Sequence, residues 1–239
     1  MTVPGREGGP VPIVALDFGT LGEAMALVDE LGDLCRFYKV GSELFTAVGP
    51  GAVAALRAAG CDVMLDLKFH DIPTTVSGAV GSAAELGVRI VTIHASGGGA
   101  MIRAAVESAG EGCELFAVTL LTSLDAPSAS AIWGRDSIKV GAEVVRLATM
   151  ARDAGAGGVV ASGSEVEAIR GALGPAFRVL VPGVRLAGSG AGDQARVVTP
   201  AKARRLGADY VVIGRTVTAA ADRRWAMEKV LQELAQPAR

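Results

Sequence analysis

The chain has 239 residues, half of them hydrophobic but only 4% aromatic, with 32 glycines and a formal net charge of −2. This excludes a disordered chain and leaves room for a sizeable core, in one large α/β domain as well as in two small ones. Lysines and arginines are scattered singly, which argues against nucleic acid as a partner, and no apolar run reaches the roughly 20 residues that span a bilayer.

The N-terminal stretch MTVPGREGGP lacks the charged-then-apolar layout of a signal peptide, so a cytoplasmic location with no membrane partner is expected. Residues 1–10, rich in Gly and Pro, are expected to form a flexible tail. From there short apolar runs alternate with helical patterns to the end of the chain. The predicted strands are PIVALD (12–17), CRFYKV (35–40), DVMLDLK (62–68), RIVTIH (89–94), ELFAVTL (114–120), GGVVAS (157–162), FRVLVP (177–182) and DYVVIG (209–214).

Between them lie GEAMALVDELGD, GPGAVAALRAAG, PTTVSGAVGSAAELG, GGGAMIRAAVESAGEG, KVGAEVVRLATMARDAG, SEVEAIRGALG and TPAKARRLGAD. Each has apolar residues at helical spacing and a glycine near its C-terminal end. A last helix is predicted over about 216–235. Strands that are apolar throughout imply a parallel sheet covered by helices, and eight such units in about 230 residues match a single-domain (β/α)₈ barrel over 11–239. An open doubly wound sheet usually has fewer strands.

Cys35, Cys61 and Cys113 are odd in number and widely spaced, as reduced, partly buried thiols would be. With two histidines and no HExxH or CxxC pair, a transition-metal centre built by the protein is not expected. GSGAGD and SGGGAM do not give GxGxxG after the first strand, which disfavours a dinucleotide site.

In a barrel of this kind function collects at the C-terminal ends of the strands. The polar residues there are Asp17, Lys39, Asp66 with Lys68, His94, Thr122 with Ser123, Arg185 and Gln194 after strand seven, and Gly214-Arg215 after strand eight. The stretch MLDLKFHDIP starts as a buried strand and then places three charges in six residues. Residues two apart in a strand share a face, so Asp66 and Lys68 point to the barrel axis if Leu65 and Leu67 face the helices. Lys39, on the neighbouring strand, is within reach of Asp66. Asp71 falls after the strand, where Ile72-Pro73 turns the chain into a helix. A salt-bridge ladder would have the same composition, but alternating signs also keep every member charged and build a fixed field with a proton donor inside it.

These motifs, DLKFHDIP with YKVGSELF before it and TLLTS, VPGVRL, GDQARVVTP and YVVIGRTVT after it, resemble the orotidine 5′-phosphate decarboxylase family of bacterial type from Ala15 to about Ala220. The resemblance implies a decarboxylase without metal or cofactor that forms UMP and CO₂ as a homodimer with shared active sites. It makes Lys68 the proton donor at the carbanion, with Lys39 and Asp66 holding the network and contacting the ribose, and Asp71 reaching across the dimer interface. It further implies substrate contacts from Asp17, Ile72, Thr75, Thr122 and Pro182, and phosphate contacts from Arg185, Gly214 and Arg215, with Gln194 bridging the loop and the phosphate or base and Thr75 coming from the partner chain. The glycine-rich stretch PGVRLAGSGAG reads as a mobile loop over the phosphate. Thr74 and Thr216 depart from that family's pattern, which has asparagine and proline there. His94 and His70 read as core histidines, and Trp133 as a loop residue without a role. The alternative is a magnesium-dependent phosphosugar decarboxylase or synthase on the same barrel, which shares D-x-K-x-x-D.

Overall fold

The computed structural model describes residues 9–186 and 197–236. Eight parallel strands close on one another in chain order, β1-β2-β3-β4-β5-β6-β7-β8. They are β1 (Val11–Ala15), β2 (Phe37–Gly41), β3 (Asp62–Phe69), β4 (Ile90–His94), β5 (Glu114–Val118), β6 (Gly158–Val160), β7 (Arg178–Val181) and β8 (Tyr210–Ile213). Every predicted strand is present, with ends shifted by a residue or two. The helices are α1 (Leu21–Leu31), α2 (Ser42–Val48), α3 (Gly51–Ala58), α4 (Pro73–Glu85), α5 (Gly98–Ala109), α6 (Ala126–Trp133), α7 (Val140–Asp153), α8 (Val166–Leu173), α9 (Pro200–Arg205), α10 (Arg215–Thr218) and α11 (Arg223–Ala235).

One helix was not predicted, and two readings need correction. The short α2 follows strand β2 directly and lacks a periodic run long enough to read. Trp133, read as a loop residue, ends helix α6, whose start was signalled by Asp125, with a carboxylate that accepts from the Ser128 amide at 2.9 Å, followed by Pro127 in the first turn. The last predicted helix is two, because the chain breaks after Thr218 and restarts where Asp222 caps the Trp225 amide at 2.8 Å.

Side chains alternate across the barrel wall and sort the core into two parts. Leu65, Val91, Val159 and their like pack outward against the helices, while Ile13, Ala15, Phe37, Met64, Ile90, Phe116, Leu180 and Tyr210 fill the inside. Phe116 and Phe37 stand edge-on to Tyr210, with centroids at 5.6 and 6.2 Å. Position 158 must be glycine for this packing, since a Cβ there would sit 2.5 Å from the Phe116 ring. Beneath them Arg89 pairs with Asp62 at 2.6 Å, and Arg178 pairs with Glu114, closing the N-terminal end with ion pairs. The opposite end is left open to carry chemistry.

The three cysteines are free and buried, and burial pushes the Cys35 and Cys113 thiols up to about 11, so they stay protonated. No helix among the described residues is long and apolar enough to cross a membrane.

Candidate active site

A cavity of about 600 Å³ opens at the C-terminal mouth of the barrel. Its floor is the top of the inner core, with Met64, Val160, Leu180 and Val212. Its walls carry Asp17, Lys39, Asp66, Lys68, Thr122, Ser123, Pro182, Arg185, Gly214 and Arg215. An apolar base under a few convergent charges suits a small polar ligand.

The charges form a row of alternating sign. Lys39 Nζ lies 2.9 Å from Asp17 Oδ1 and 3.6 Å from Asp66 Oδ2, and Lys68 Nζ lies 2.9 Å from that same Asp66 oxygen. Lys39 and Asp66 are each only 8% exposed, so water does little to screen them. Burial alone would raise the Asp66 pKa, but the Lys39 and Lys68 ammoniums, with hydrogen bonds from Lys68 and Thr92, outweigh it and hold the carboxyl below the usual aspartate range. Asp66 is therefore an anion throughout the neutral range.

Register explains how Lys39 reaches its place. The residue facing Asp66 across β2 is Gly41, not Lys39. Because Gly41 has no side chain, the space above it is open and the lysine amine lies there: a Cβ on Gly41 would fall 2.7 Å from Lys39 Nζ and 3.0 Å from Asp17 Oδ1.

Asp66 and Lys68 do share the cavity, and Leu65 and Leu67 do pack outward, but not through a regular strand. Pairing with β4 runs Leu65 to Val91 and resumes at Phe69 to Ile93, so β3 spends four residues where β4 spends two. Within that bulge Lys68 has φ +51°, the one non-glycine residue in the left-handed region among those described. Thr92, opposite the bulge, is fully buried. Its hydroxyl accepts from the Lys68 amide at 3.0 Å and donates to Asp66 Oδ1 at 2.9 Å.

At the far side of the cavity, burial and then the nearby Arg215 guanidinium lower the Arg185 pKa. Two cations held close to each other are arranged for an anion. Next to them Gly214 has open space where a Cβ would be, so a ligand can approach the backbone. The strand-seven loop is pinned at its base: Val184 bridges Val198, the Arg185 amide donates to Val198 O at 3.0 Å, and the Thr216 hydroxyl donates to Val184 O at 3.1 Å. A proline at 216 would have no hydroxyl to make that last bond.

Asp71, Ile72 and Thr75 lie outside this cavity. All three are exposed, Ile72 by 64%, and Asp71 Oδ1 accepts from the Ile72 amide at 2.6 Å. No ion pair joins Asp71 to Lys68 among the described residues. Gln194 and most of the glycine-rich stretch lie outside the described residues. His94 is half-buried as a core histidine would be, whereas His70, expected with it, is exposed, their rings 5.4 Å apart. Thr92 and Gly41 were missed by sequence reasoning, because nothing local marks either one; only strand register brings them to Asp66.

The chain matches the family described as "Orotidine 5'-phosphate decarboxylase / HUMPS family" over residues 10–230. A protein from Anaeromyxobacter sp. (strain K) named orotidine 5'-phosphate decarboxylase is 50% identical over 208 residues, 87% of this chain and 91% of that protein. One of the same name from Paramagnetospirillum magneticum is 45% identical over 229 residues, covering 92% and 97%. The crystal structure of orotidine 5'-phosphate decarboxylase from Lactobacillus acidophilus superposes with a TM-score of 0.84 at 34% identity, covering 95% of this chain and all of that one.

Proposed function

The chain belongs to the orotidine 5′-phosphate decarboxylase / HUMPS family, and from that premise we propose that it converts orotidine 5′-phosphate to UMP and CO₂, as a carboxy-lyase of pyrimidine biosynthesis. The observation that carries this reading is the row Asp17–Lys39–Asp66–Lys68 at the rim of an apolar-floored cavity. Breaking the bond from C6 to the carboxylate leaves an electron pair in the plane of the pyrimidine, where ring π orbitals cannot accept it. A positive charge placed next to C6 beforehand stabilises that pair without reorganisation.

Lys68 is that charge, and it then gives a proton to C6. The neutral amine is left beside Asp66 and regains its proton from solvent. Lys39, itself paired with Asp17, holds Asp66 in line, and Lys39 and Asp17 meet the ribose hydroxyls. Thr122 and Pro182 line the base, Arg185, Arg215 and Gly214 bind the phosphate, and Gln194 bridges the loop and the phosphate or base. The lysine's attraction grows as the carboxylate becomes a ring anion, so it favours the transition state over the bound substrate. Binding of the distant phosphate helps to hold the reacting carbon against Lys68.

A homodimer completes the site in this proposal. Asp71 and Ile72, after strand β3, and Thr75, in the first turn of helix α4, are exposed beside the mouth of their own barrel, which supports their reaching the cavity of a second copy. There Asp71 of the partner subunit extends the alternation beyond Lys68. Residues 11–239 act as one catalytic domain in the cytoplasm. No metal takes part: Asp66 is already neutralised by two ammoniums, which weakens it as a ligand for a divalent cation. The magnesium-dependent phosphosugar reading is disfavoured by the name that the relatives at 45–50% identity share. The test is the ultraviolet absorbance of orotidylate incubated with purified protein and EDTA. Conversion to UMP supports the proposal; no turnover, or turnover that EDTA abolishes, contradicts it.

A further inference from the structure

We propose that Thr92 is a positioning residue for the decarboxylation, holding the Lys68 ammonium and the Asp66 carboxylate in one fixed relation through a single hydroxyl. The inference rests on the function proposed above and adds a residue that does not line the cavity.

The need for such a residue follows from the bulge. A lysine at φ +51° is in a sparsely populated backbone conformation that persists only where its surroundings hold it. The bulge takes Lys68 out of the regular ladder with β4, leaving its N–H in want of an acceptor. Thr92 Oγ1 supplies one at 3.0 Å. The hydroxyl's own proton is thereby directed to Asp66 Oδ1 at 2.9 Å, while the other oxygen, Oδ2, takes the two lysines at 2.9 and 3.6 Å. Main chain of the proton donor, hydroxyl, and carboxylate thus form a closed loop with the ammonium: Lys68 N to Thr92 Oγ1 to Asp66 to Lys68 Nζ.

The loop has two consequences. It fixes the Asp66 carboxylate in rotation, so that Oδ2 faces both lysines. It also sets the backbone from which the Lys68 side chain rises, and so where the amine stands over the cavity. Thr92 is fully buried, so no water can take the place of its hydroxyl without rearrangement. Its methyl group packs in the wall, so valine keeps the shape and removes only the hydrogen bonds.

The test uses the full-length protein with Thr92→Val and Thr92→Ser, assayed well below their melting temperatures. Thr92→Val is expected to lower kcat by about ten- to a hundredfold, the loss of one hydrogen bond to a charged group, with UMP affinity little changed. Solvent-deuterium exchange at C6 of UMP, which forms the same ring anion without CO₂, is expected to slow in parallel. In the ligand-free protein the Lys68 amide is expected to lose its protection from hydrogen exchange. Thr92→Ser is expected to restore most of all three. A merely structural role lowers the melting temperature and leaves kcat and C6 exchange of the folded protein unchanged. That result, or equal losses in the valine and serine variants, overturns the inference. If the wild-type protein fails to decarboxylate orotidylate, the functional reading itself falls; if it is active and Thr92→Val equally so, only this inference does.

Discussion

Gly41→Ala tests whether the position of one ammonium controls the reaction. The new Cβ would lie 2.7 Å from Lys39 Nζ, and the obstructing atom is the far end of a flexible side chain, so the fold can accept the methyl while the amine moves away. Ordinary contact needs a shift of about 1 Å. The Asp17 side chain is more than half exposed and its pairing with Lys39 is screened, so the distance that counts is the 3.6 Å to buried Asp66. Lengthening it by that amount at an effective dielectric constant near 20 weakens the pairing by about 1 kcal/mol. With the added misplacement at the ribose, kcat/KM is expected to fall about tenfold or somewhat more. Steady-state kinetics on orotidylate, beside thermal melting, reads the outcome. Unchanged kcat/KM refutes the reasoning, and so does a loss that only accompanies unfolding.

Asp71→Ala and Lys68→Ala, each expected to be inactive alone, should recover activity when mixed and allowed to exchange subunits, because one site of each hybrid dimer is free of both changes; proven exchange without recovery contradicts a shared site. Arg185→Ala is expected to reduce kcat/KM by about ten- to a hundredfold, mostly through KM, since it would remove the charge-assisted bonds proposed to the phosphate; an effect confined to kcat speaks against a phosphate role. Asp66→Asn is expected to be about 3 kcal/mol less stable at pH 7, the low end for breaking a buried pair because Lys68 is one-third exposed. The native pKa of Asp66 is depressed, so its stabilisation is present above the unfolded-state value of about 4 and is lost as pH falls through the native one. Urea unfolding at pH 7 and pH 3 should show the gap between wild type and variant closing in acid, and a gap independent of pH counts against the charged row.

The barrel was legible because each strand is a short apolar run and each long helix has a 3.6-residue period, both local signals. The mouth was legible for a related reason: in a barrel the ends of the strands are the mouth, so finding the strands located Asp17, Lys39, Asp66, Lys68, Arg185 and Arg215 together. What stayed hidden depends on pairing between strands distant in sequence. That Gly41 faces Asp66, and that Thr92 stands opposite a bulge, follows from register, and a regular alternation along 64–69 led to the right face for Asp66 and Lys68 without the backbone turn at Lys68. Helix α2 was too short for a period to register, and the break after Thr218 needed the Asp222 cap to be weighed against continuous helical propensity.

The claim at the centre is that a fixed cation at residue 68, held by buried Asp66, stabilises the anion at C6. Turnover of orotidylate by Lys68→Ala, measured beside its affinity for UMP, tests it most directly. The expected result is turnover lost by several orders of magnitude with UMP still bound about as well as by the wild type. Turnover near the wild-type rate would contradict the account, as would a loss explained entirely by weaker binding of UMP.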